Sequence, residues 1–191
     1  MRVLGIDPGS RFLGFGVVEE RSGRLCHVGH GVVRTDASAP LEQRLCEIFD
    51  GLRTAIELYR PDAVAVEGVF HHRNARSALV LGQARGVALL VAAQRGLSVH
   101  EYPPARVKKA VGAGGADGKD AVARMVTAFL RLPEPPERAD ASDALAIAIC
   151  HLNQGRAVAL GARRAKSGRK GALAALADRL RPAYVRPEAA R

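Results

Sequence analysis

Residues 2–18 read RVLGIDPGSRFLGFGVV, and this stretch decides the fold. Arg2 to Asp7 is a nearly continuous apolar run, the pattern of a strand buried on both faces. Pro8-Gly9-Ser10 is a turn signal, after which Phe12 to Val18 reads as a second strand. Leu25 to Arg34 reads as a third, joined to the second as a hairpin near Arg21-Ser22-Gly23. Leu41, Leu45, Ile48, Leu52, Ile56 and Tyr59 recur at helical spacing, which predicts an amphipathic helix over about 40–60 stopped by Pro61. A short buried strand follows at 62–67, a long helix at about 75–95 and a fifth strand from Leu97 to Tyr102. Pro103-Pro104 opens a helical turn carrying Arg106, Lys108 and Lys109; further helices are expected near 119–131 and 139–154. The order predicts an α/β domain with a mixed sheet, in which strands 2–7, 62–67 and 97–102 are parallel neighbours.

Four carboxylates stand where apolar elements should carry no charge. Asp7 closes the first strand, Glu67 closes the run Ala63-Val64-Ala65-Val66, and Asp140 and Asp143 open the apolar stretch Ala144 to Cys150. Each has an ordinary explanation: a turn at Asp7-Pro8-Gly9, an exposed strand end at Glu67, a helix cap with an acidic first turn at Asp140 and Asp143. The topology, however, gathers all four at one edge of the sheet, where open α/β sheets hold their ligands. Four carboxylates at one edge hardly coexist ionised without a cation, so hard divalent metal ions and metal-assisted phosphoryl chemistry are the expectation.

Composition is that of a globular domain, 48% hydrophobic and 25% charged over 191 residues. Asp7 interrupts the N-terminus before a secretory signal can form. The longest apolar run, Gly86 to Ala93, falls short of the roughly 20 residues that span a bilayer. Cys26, Cys46 and Cys150 form no CxxC and read as reduced residues, so a cytoplasmic protein without membrane attachment is expected. The net charge of +10 is unevenly spread: residues 1–155 hold 19 Lys+Arg against 17 Asp+Glu, residues 156–191 hold 10 against 2. Bulk positive charge thus belongs to the tail.

The glycine-rich loop Gly112 to Lys119 fails as a P-loop, with Ala113 at the first glycine position and Asp120 after the lysine. Its Lys119 either reaches a phosphate or is an ordinary solvated lysine. His71 and His72 are adjacent and cannot both face one metal from a regular element, which argues against zinc. Phe70, beside His71, His72 and Arg73, is either a loop anchor or an aromatic that stacks on bases.

GIDPGS with Gly14 and Gly16, then EGVF, NARSALVLGQARG, EYPPARVKK and ADASDALAIAICH resemble the RuvC-type Holliday junction resolvases, in order, over residues 1–154. The resemblance implies a ribonuclease-H-like fold, a five-stranded mixed sheet flanked by helices, in residues 1–155, with 156–191 as a basic C-terminal tail. It implies a homodimeric endonuclease that resolves four-way DNA junctions by paired symmetric nicks in homologous recombination and DNA repair. The metal-binding carboxylates fall on Asp7, Glu67, Asp140 and Asp143, with Mg²⁺ as cofactor, Mn²⁺ as a substitute and two ions per site. Phe70 matches the stacking aromatic, and Lys108, Lys119 and Arg76 complete the DNA-contacting set. The helix carrying Leu81 to Gly86 matches one that helps form the dimer, and the branch-migration proteins RuvA and RuvB are the implied partners.

A non-catalytic junction-binding module and an RNA-processing nuclease of related fold are the rival readings. An actin-like ATPase shares the GIDxG opening but needs a second such domain, which 191 residues do not supply. In the tail, Leu173, Leu176 and Leu180 recur at helical spacing and could dock a partner, but the charge favours an arm that adds salt-sensitive DNA affinity. Truncation after Gly155 should therefore flatten the salt dependence of DNA binding while leaving cleavage intact. An unchanged salt slope would reject the arm.

Overall fold

The computed structural model describes residues 1–68, 75–113 and 120–155. Five strands appear: β1 (Arg2–Asp7), β2 (Phe12–Arg21), β3 (Arg24–Arg34), β4 (Ala63–Glu67) and β5 (Ser98–Tyr102). Helix α1 (Leu41–Tyr59) precedes β4, α2 (Ala75–Gln94) follows it, and α3 (Pro104–Ala110) and α4 (Ala121–Leu130) follow β5. A last helix, α5, occupies 139–155. The strands pair in the order β3-β2-β1-β4-β5. β1 is antiparallel to β2 and parallel to β4, and β4 is parallel to β5, so the expected mixed sheet with three parallel neighbours is observed.

Both hairpin strands run longer than their apolar cores suggest, because the turn is as tight as a hairpin permits. Arg21 pairs directly with Arg24, leaving Ser22 and Gly23 at φ 49° and 76°. Two consecutive positive φ values match the right-handed twist of the flanking strands, and the glycine adopts its value without strain. Helix α1 ends where Pro61 demands: Arg60 takes a left-handed conformation and its N–H donates to the Ile56 carbonyl.

Side-chain alternation divides the sheet into two faces. Leu4, Ile6, Leu13, Val17, Val64 and Val66 point to one, where they pack with Ile48 and Leu52 of α1 and Ala84, Ala88 and Val91 of α2. Helix α2 is long and apolar enough to cross a membrane by length and composition. Its small residues nevertheless close onto the core, while Leu79 and Leu90 stay 65% and 52% exposed. On the other face, Val3, Val18 and Ala65 cluster with Val107 of α3, Val126 of α4 and Leu145 to Cys150 of α5. Residues 144–150 are buried without a break, since α5 is covered from both the sheet and the outer helices.

Helix α5 lies on bare backbone. A Cβ on Gly5 would sit 2.0 Å from the Ala144 carbonyl oxygen and 2.8 Å from the Ala148 nitrogen. On Gly14 it would meet the Asp140 carbonyl oxygen at 2.0 Å, and on Gly16 the Leu145 nitrogen at 2.7 Å. Gly5 and Gly14 thus admit a helix closer than any side chain would allow. Gly5→Ala should destabilise the fold at the upper end of roughly 1–3 kcal/mol, because the obstacle is backbone and has no rotamer to give. Urea denaturation measures it, and an unchanged midpoint would mean that α5 has room to withdraw.

Candidate active site

Asp7 and Glu67 end the parallel neighbours β1 and β4, on the face that carries Val3, Gly5 and Ala65. Across β2, Asp7 is in register with Gly14, the residue that α5 crosses at Asp140. The first turns of α5 therefore bring Asp140 and Asp143 to the strand ends that hold Asp7 and Glu67. All four predicted carboxylates come together.

Their electrostatics follow from that gathering. Burial, then Asp143, Glu67 and Asp140, push the Asp7 carboxyl from its ordinary 3.8 up to about 8. Burial and Asp143 raise Glu67, and burial and Asp140 raise Asp143. Lys108 on α3 pulls both Glu67 and Asp143 back toward the ionised form, so this predicted DNA-contacting lysine stands within the field of the site. Arg76 lies in the first turn of α2, and Phe70 and Lys119 lie outside the described residues.

Two further groups hold the site in shape, and neither was legible beforehand. The Arg138 guanidinium donates from Nε to Asp140 Oδ2 at 3.0 Å, with Nη2 in an ion pair to the same oxygen at 2.9 Å, and it stacks on Phe12 with Cζ 3.6 Å from the ring centroid. The i, i+2 spacing of Arg138 and Asp140 is not one that a regular helix pairs, so no periodicity announces it. Behind Asp7, the turn at Ser10 is clamped from two sides. Arg44 of α1 donates to the Ser10 carbonyl at 3.0 and 2.6 Å and to its hydroxyl at 2.7 Å, and the buried Thr35 hydroxyl donates to the same carbonyl at 2.8 Å. These partners are 34 and 25 residues from Ser10, beyond any local signal.

The donor set suits a hard divalent cation: four carboxylates, no sulfur, and protons held where charge is in excess. Among the described residues no three acidic, His or Cys side chains are already closed to ion-holding spacing. One reason is visible in Asp140, whose Oδ2 is turned to Arg138.

The family described as crossover junction endodeoxyribonuclease RuvC matches residues 3–151. The chain belongs to that family. A RuvC of Myxococcus xanthus is 69% identical over 190 residues, covering 99% of this chain and all of that protein. One from Pelobacter propionicus is 55% identical over 153 residues, covering 80% of this chain and 86% of the relative. Among solved structures, Thermus thermophilus RuvC in complex with a Holliday junction substrate superimposes with a TM-score of 0.76 at 37% identity, over 82% of this chain and 95% of that one. This RuvC-family chain is accordingly an endodeoxyribonuclease of the ribonuclease-H-like fold, with the divalent-metal dependence of its family.

A carboxyl raised in the folded chain holds a proton that the unfolded chain releases. Its contribution to stability is full below the ordinary pKa of 3.8 and is lost as pH rises through about 8. Without added cation, Asp7→Asn should therefore melt higher than the parent at pH 8, on the order of a few degrees, and the gap should close toward pH 4. Thermal melts across that range test it; equal melting temperatures at pH 8 would remove Asp7 from a crowded acidic site.

Proposed function

We propose that this chain resolves four-way DNA junctions by paired symmetric nicks, using Asp7, Glu67, Asp140 and Asp143 to hold Mg²⁺, with Mn²⁺ as a substitute and two ions per site. The observation that carries this reading is the gathering of four carboxylates at the ends of β1 and β4 and the first turns of α5, where burial and then the neighbouring acids raise Asp7. When bound, such ions polarise the scissile phosphate, acidify the attacking water and stabilise the leaving 3′ oxygen.

The chain's own residues do the remaining work. Asp7, central to the set and the most strongly raised, surrenders its proton on loading, so metal affinity rises with pH up to about 8. Glu67 and Asp143 flank it under the field of Lys108, which also offers positive charge to a DNA phosphate. Asp140, paired with Arg138, would complete the set that holds the ions. Lys119, Phe70 and Arg76 are assigned to DNA by their motif positions: Lys119 to a phosphate, Phe70 to stacking at the junction, Arg76 to the backbone.

Junction symmetry calls for two sites, and a homodimer supplies them. The exposed Leu79 and Leu90 on α2 favour that helix as part of the interface, since it also carries the LGQARG motif at 81–86. Residues 1–155 form the nuclease domain and 156–191 the basic arm. RuvA and RuvB are the proposed partners, and the cytoplasm is the proposed compartment.

Four-way junction, linear duplex and RNA–DNA hybrid, each incubated with Mg²⁺ or with EDTA, separate the readings on one gel. We expect Mg²⁺-dependent nicks in the junction alone, each leaving a 5′-phosphate and a 3′-hydroxyl. Asp7→Asn should lose cleavage by at least about a hundredfold while still binding the junction. Retained turnover in that variant, or equal cutting of linear duplex, would overturn the assignment.

A further inference from the structure

Beside the carboxylates, on the β3 side, lies a half-open groove of about 410 Å³. One wall is His30, Val32 and Arg34 of β3; the other is Glu137, Arg138 and Ala141 at the start of α5. Phe12, paired in register with Arg34 across the hairpin, has both guanidinium groups against its ring: Arg34 Cζ at 5.6 Å from the centroid and Arg138 Cζ at 3.6 Å. The two arginines differ in what they face. Arg138 is committed to Asp140, whereas Arg34 is exposed and meets no carboxylate among the described residues. Among the described residues Glu137 is the only acid lining the groove, and it pairs with neither arginine.

From this juxtaposition we infer that the groove is a second DNA-backbone site, in which Arg34 takes a phosphodiester of the strand that lies beside the carboxylates. The inference rests on the junction-resolving reading proposed above. Guanidinium is the group suited to a phosphate, because its planar fork presents two parallel donors. The cation–π contact with Phe12, at 5.6 Å from the centroid, biases that fork toward the groove before DNA arrives, which lowers the ordering penalty on binding. Arg138, on the same ring, links the groove to the site itself, since its other contact is Asp140. A phosphate held by Arg34 therefore sets where along the strand the carboxylates act. Burial holds the His30 imidazole below its ordinary pKa, so at neutral pH the groove's cationic character comes from the arginines.

The test is equilibrium binding of a fluorescent four-way junction to the full-length protein in EDTA, across a salt series. Each phosphate contact contributes about 0.9 to the slope of log K against log salt. Arg34→Ala should lower the slope by about that amount for each Arg34 engaged and weaken binding several-fold at fixed salt. Arg34→Lys should restore the slope but not the full affinity, because charge survives and the fork does not. Arg53→Ala, on α1, is the control and should leave the slope in place; thermal melts confirm that each variant folds. An unchanged slope in Arg34→Ala, or an equal loss in Arg53→Ala, overturns the second site. Failure of the parent protein to prefer a junction over linear duplex would instead overturn the junction-resolving reading beneath it.

Discussion

The contact of α5 with the bare backbone of β1 and β2 is what the rest of this structure depends on. Helices normally stand off a sheet by the depth of two layers of side chains. Here Gly5, Gly14 and Gly16 remove one layer, and the helix settles against main-chain atoms. Lowered in this way, its first turns reach the ends of the strands, and two acids from a distant part of the chain join two that β1 and β4 deliver. Glycine in a strand interior weakens the strand by itself; the burial of 144–150 against sheet and outer helices offsets that weakness.

Crowding the acids has a thermodynamic sign opposite to that of an ordinary salt bridge. Asp7, Glu67 and Asp143 oppose folding when ionised, and the chain tolerates them because an apolar core holds the elements that carry them. Arg138 and Lys108 soften the repulsion without cancelling it, one by direct pairing with Asp140, the other as a charge near Glu67 and Asp143. Such crowding costs stability when no cation is present, and a cation bound among these acids would offset that cost.

Much of this was legible from residues alone, for definable reasons. The apolar run before Asp7, the Ser-Gly turn and the 3.6-residue spacing of α1 are local signals, and the elements fell within one to three residues of expectation. The four carboxylates were legible because charge at the end of a buried strand or the start of a buried helix is conspicuous. What stayed hidden depended on approach distance and on side-chain direction. Nothing in a one-dimensional pattern says that Gly14 touches the Asp140 carbonyl, that Phe12 holds two arginines, or that Asp140 turns aside to Arg138. Gly14 and Gly16 were visible as motif residues; their role as a landing surface required the helix to be put in place.

The clamp on Ser10 bears on how this chain tolerates change in length. Loops that join strands ordinarily absorb insertions and deletions with little effect. The connection from Asp7 to Phe12 has no such slack: Arg44 of α1 and Thr35, just past β3, grip one peptide carbonyl within it. An added or missing residue there would shift that carbonyl out of reach and alter the register of Asp7 against Gly14. The short link is thus a spacer of defined span, and diversity in chain length belongs elsewhere in the molecule.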